Sequence, residues 1–157
     1  MAIPDRHDTE HGPSSPDIGP SAWLGAAAWL EERICGVPVA GVLDVGPHHV
    51  CVGDSYDVHC AQIQRLAGGR LLLRLSTMLM IIPLLDSYAA PDTELNRWHH
   101  DDLFEDCTHG YLVTESASVI ADLVMAWFRD RGGFSSPDEL GYCTTTPKRL
   151  PHGGGMP

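Results

Sequence analysis

The sequence predicts an α+β domain: an antiparallel sheet of four to five strands with helices packed on one side. Three observations lead there. Two segments, one near each end of the patterned region, carry apolar residues at helical spacing. Between them lie valine- and leucine-rich stretches whose polarity alternates with a period of two. Glycine, proline and capping residues then mark the boundaries between these segments. The chain has 157 residues, 43% apolar and 20% charged, enough for one hydrophobic core.

The first helix is expected from Ser21 as N-cap, with Trp23, Ala27, Leu30 and Ile34 forming one stripe and Gly36 and Pro38 closing it. Gly25 within it marks a place where a neighbouring element can approach closely. Trp29 falls about 60° of arc from the stripe, given 3.6 residues per turn, which leaves it partly exposed and makes it a contact residue for a partner. Strands follow over residues 37–45 and 48–52, separated by Gly46-Pro47, and then over 56–66 and 70–80 around Ala67-Gly68-Gly69, a hairpin signal. In the last of these Leu71, Leu73, Leu75 and Leu79 share one face, while Arg74, Ser76 and Met78 take the other, the pattern of a half-buried strand. Residues 81–85 contain Pro83 and read as an apolar crossing.

Asp92 is placed to cap a helix over 93–104 with Leu95, Trp98 and Leu103 as its stripe. A short strand over 109–114 comes next. Ser116 or Ser118 then opens the most regular helix, marked by Val119, Ile120, Leu123, Val124, Trp127 and Phe128 and stopped at Gly132-Gly133. Ser136-Pro137-Asp138-Glu139 has the form of a capping box, predicting a short terminal helix.

Residues 1–20 hold Pro4, Pro13, Pro16 and Pro20 among acids and read as a disordered tail. Residues 144–157, with three prolines and Gly153-Gly154-Gly155, read as a flexible C-terminal tail. The domain therefore spans 21–143. A net charge of -11 disfavours nucleic acid or an anionic membrane surface as partner. The longest apolar run, 78–85, is far below the ~20 residues that span a bilayer, and no secretory signal opens the chain. Five cysteines, odd in number and without a close pair, fit reduced thiols in a cytoplasmic protein.

Two clusters bear on chemistry. His99, His100, Asp102, Cys107 and His109 fall close together, and on a continuous helix His99 and Asp102 share a face, so this cluster is the candidate site for zinc or iron in a metal-dependent enzyme or sensor. Cys51 and Cys60, each near a histidine, are the thiol candidates. No nucleophile elbow, phosphate loop or paired Cys-x-x-Cys is present, and the single lysine, Lys148, lies in the tail. Catalytic residues and a cofactor are thus not expected. On the sheet face away from the helices, Gln62, Gln64 and Arg74 are candidates for polar readout of a protein partner.

Leu95-Asn96-Arg97-Trp98, then Phe104 and Gly110-Tyr111-Leu112, together with the order of elements over 56–131, resemble the YbjN-like and type III secretion chaperone-like domains. A histidine, His99 or His100, stands where that family places a second asparagine. The resemblance implies a protein-binding or chaperone-like role and transfers no active-site residue. The sequence thus leads to a small acidic, non-catalytic protein-binding module, chaperone- or adaptor-like. A homodimer through an open sheet edge is also expected.

Overall fold

The computed structural model describes residues 19–48, 57–78, 94–100 and 109–145. All but His48 of the strand expected over 48–52, the apolar crossing over 81–85, Cys51, Asp102, Cys107 and both extreme termini lie outside the described residues.

Helix α1 runs Pro20–Cys35 and begins on Gly19, not on Ser21. Pro20 explains the earlier start, because a proline at the first helical position is preset for the helix and needs no amide partner. Trp23, Ala27, Leu30 and Ile34 are its buried stripe, and the Gly36 amide closes it on the carbonyls of Glu32 and Arg33. Gly25 does not receive a neighbour: the space its side chain would fill is open.

Among the described residues six strands form one sheet: β1 (Val42–Pro47), β2 (Asp57–Arg65), β3 (Leu71–Met78), β4 (Trp98–His99), β5 (Gly110–Thr114) and β6 (Leu140–Thr145). Their spatial order is β4-β5-β3-β2-β1-β6, with every neighbouring pair antiparallel. The fold is therefore α+β with an open antiparallel sheet, one strand beyond the upper expectation. The β2–β3 hairpin turns through Ala67–Gly69, where Gly68 and Gly69 both take positive φ. That backbone region is open to glycine at little cost.

The two unforeseen strands correct two expected helices. Over 94–100 no helix forms. Asn96 sits at φ 59, its amide donates to the Val113 carbonyl at 2.8 Å, and the Thr114 hydroxyl donates to its side-chain oxygen at 2.6 Å. That anchored turn feeds Trp98 and His99 onto β5, so pairing with an existing strand overrides the local helical pattern. After Ser136 the capping box does form, with Glu139 accepting from the Ser135 and Ser136 amides. It closes after one 3-10 turn over Pro137–Glu139, and the chain then pairs with β1 as β6. Thr144 and Thr145 belong to that strand.

Helix α2 (Ala117–Ala126) is capped by Ser116, whose hydroxyl accepts from the Val119 amide. It widens into a π-turn over Trp127–Arg131 before Gly132. The core lies between the two helices and one sheet face, where Leu43, Val45, Ala61, Ile63, Leu73 and Leu112 meet Leu30, Ile34, Ile120, Val124 and Phe128. The opposite face is not solvent-washed: β3 is buried on both faces from Leu71 to Ser76, not half-buried. Among the described residues no helix is long and apolar enough to cross a membrane.

Candidate functional site

The sheet face away from the helices carries one polar row across all six strands. The registers place Cys143, Asp44, Gln62, Arg74, Tyr111 and His99 side by side in that order. Arg74 donates to the Gln62 side-chain oxygen, and the Gln62 amide donates to Asp44 Oδ1 at 2.8 Å. Burial pushes the Asp44 carboxyl above its ordinary 3.8, opposed by the Gln62 hydrogen bond and the Arg74 charge. Gln62, Gln64 and Arg74 are 1%, 2% and 1% exposed. Arg74 and Gln62 therefore act on each other and on Asp44 in this chain, and none of the three presents a polar surface.

At the β4–β5 end, three histidines stand in different surroundings. His99 stacks on Tyr111, with ring centroids 5.1 Å apart. His100 sets Nδ1 3.3 Å from the His109 carbonyl oxygen. His109 lies against Trp127 at 4.6 Å and Trp98 at 6.1 Å, and His59 meets Trp127 at 5.0 Å. Among the described residues no three His, Cys, Asp or Glu side chains gather as metal ligands. Cys60 is buried in β2, whereas Cys35 and Cys143 are exposed thiols.

Burial, with the charges of Arg131, His100 and His59, holds the His109 imidazole below its ordinary value of 6.5. The unfolded chain takes up this proton first, so the contribution of His109 to stability is complete above pH 6.5 and declines as pH falls below it. Thermal unfolding between about pH 7.5 and about pH 5.5 should show a smaller loss in His109→Phe than in the native chain. Equal slopes would remove His109 as the cause.

The third region lies on the helix side of the sheet, at its β6 edge. The Trp29 ring meets the Tyr142 ring edge-on at 4.5 Å, and the Arg33 guanidinium sits 4.8 Å over Trp29. Trp29 is still 38% exposed. With Glu32, Arg33, Gly36, Val37 and Thr144 it lines a groove of about 360 Å³ between α1 and β6.

β6 is the terminal strand of the sheet among the described residues. The His48 amide donates to the Glu139 carbonyl at 3.0 Å, which fixes the phase of the β1–β6 ladder. Antiparallel bonds alternate, so Gly141, Cys143 and Thr145 turn toward β1, while Leu140, Tyr142 and Thr144 turn their backbone outward. The Leu140 amide is already committed to the Pro137 carbonyl. Among the described residues nothing pairs with the outward amides and carbonyls of Tyr142 and Thr144, which form the open edge. Leu140–Thr145 contains no lysine, proline or acid, and its register with β1 runs without a bulge. Within Leu140–Thr145 the charged, proline and bulge devices that ordinarily block strand addition are missing.

Helical periodicity locates Trp29, but the capping box and the prolines that follow assign Tyr142 to a terminal helix and Thr144 to a tail. The signal that finds them is Leu140-Gly141-Tyr142-Cys143-Thr144-Thr145 itself, rich in aromatic and β-branched residues. Comparison with family models, with curated proteins and with solved structures finds no match.

Proposed function

We propose that this chain is a non-catalytic protein-binding module, chaperone- or adaptor-like, that takes an extended segment of a partner along the outer edge of β6. The observation carrying this reading is a strand edge, open among the described residues, beside a groove floored by a half-exposed tryptophan. Strand addition obtains affinity from main-chain hydrogen bonds and specificity from pockets that take alternate side chains. The outward groups of Tyr142 and Thr144 supply the first, and the α1–β6 groove supplies the second. Trp29 is also the residue type that most often dominates such contacts. Three cysteines outside any disulfide among the described residues, Cys35, Cys60 and Cys143, favour work in the cytoplasm.

Peptides selected from a displayed random library against the full chain provide the test. Thr144→Pro deletes an outward amide that the β1 ladder does not use, so the fold should persist. Peptide affinity should nonetheless fall about tenfold or more. Trp29→Ala should weaken the same peptides by roughly thirtyfold, the scale of one interface hot spot. Selected peptides indifferent to both substitutions would sink the reading.

A further inference from the structure

Resting on the β6 reading above, we infer that the segment taken by this edge is basic: an extended peptide of a partner protein with lysine or arginine at two positions four residues apart. The two ends of the edge carry acids. Asp138 is exposed just before Leu140, and its charge reaches Tyr142, whose hydroxyl is held above its ordinary range by burial first and Asp138 second. Glu32 is exposed and lines the groove beside Thr144 at the other end.

Two cations lie nearby among the described residues, and each is engaged within the chain. Arg33 lies over Trp29, and Arg65 donates to the Ile34 and Cys35 carbonyls at the end of α1. The whole chain adds a net charge of -11, which draws basic segments toward it. From Leu140 to Thr144 a strand advances about 13 Å, given ~3.3 Å per residue. Side chains four residues apart on an added strand share one face and reach both ends, with one residue between them facing the Trp29 groove.

Charge also decides against a second copy as the occupant. Antiparallel pairing of two β6 edges brings the start of one strand to the end of the other. Asp138 of one copy would then approach Glu32 of the next, like charge to like.

Three labelled peptides of about ten residues, built on alternating threonine and valine, test this by fluorescence anisotropy with the full chain. One carries lysine at the two positions, one glutamine and one glutamate. The lysine probe should bind about tenfold tighter than the glutamine probe, the glutamate probe should bind weakest, and the order should flatten between about 20 mM and about 300 mM salt. Glu32→Gln with Asp138→Asn should erase the preference without loss of fold, and Thr144→Pro should weaken all three probes.

Equal binding of the three probes, still dependent on Thr144, would overturn the charge inference and leave the edge reading standing. The charge inference also falls, alone, if the lysine probe fails to bind at millimolar concentration while library-selected peptides still need Thr144. Binding of every peptide regardless of Thr144 would remove both readings. A dimer in native mass spectrometry that Thr144→Pro converts to monomer would identify the occupant as a second copy and overturn the inference.

Discussion

Arg74→Ala is expected to lower the free energy of unfolding by about 3–5 kcal/mol, the range for removing one partner of a buried charged network. Arg74 lies mid-sheet on β3 at 1% exposure, donates to Gln62 and acts electrostatically on Asp44. Without it the Gln62 oxygen loses its donor and the Asp44 carboxylate its nearby positive charge. The first is costly because the Gln62 side chain is buried and cannot turn to water, and the second because the half-buried carboxylate can do so only in part. Arg74→Met keeps much of the volume and should still destabilise, which separates lost charge from lost packing. Adding Asp44→Asn to Arg74→Met should return part of the loss, since the uncompensated carboxylate is then gone. Urea denaturation of the four chains reads this directly. A loss below about 1 kcal/mol for Arg74→Ala would show that the row contributes little more than an exposed pair.

Gly110→Ala is expected to cost about 2–4 kcal/mol and to detach β4 from the sheet. Gly110 opens β5 at φ 147, a conformation that side chains rarely adopt. A methyl group there would stand 2.5 Å from the His99 carbonyl oxygen and 2.7 Å from Trp98 Nε1. The first obstacle is backbone and cannot rotate away. Relief requires β4 to move outward, which breaks the Trp98–Leu112 and His99–Tyr111 pairs and separates Trp98 from His109. Thermal unfolding gives the stability change, and amide exchange localises it to β4 and the start of β5. Unchanged exchange there would refute the steric account. The same loosening should leave the β6 edge intact, because β5, β3, β2 and β1 stand between β4 and β6.

Much of this molecule is legible in its sequence. Trp23, Ala27, Leu30 and Ile34 announce α1 because four residues at helical spacing leave one face that must be buried. Ala67-Gly68-Gly69 announces the β2–β3 hairpin because its positive φ angles favour glycine. Alternation along β3 separates Leu73 and Leu75, which face the core, from Arg74 on the other side. Sequence also marks Trp29, since an aromatic just off an apolar stripe remains half outside.

Pattern fails where another strand decides the outcome. Leu95 and Trp98 fit a helical stripe, yet Asn96 is fastened to Val113 and Thr114 of β5, and the chain extends from there. The capping box at Ser136 is real, but a cap fixes only where a turn starts. The open side of β1 determines that strand follows.

The residues by themselves determined the fold class, the two core-facing helices and the acidic balance, because these depend on local periodicity and composition. Tertiary structure decided that Gln62, Gln64 and Arg74 are buried, with Gln62 bonded to half-buried Asp44, and that His99 stacks on Tyr111 while His109 lies against Trp127. It also decided that Tyr142 and Thr144 lie in a strand, the terminal one among the described residues, beside Trp29. Each of these depends on which distant strand lies alongside, and hydrogen-bond pairing across a sheet leaves no periodic trace in one strand's own sequence.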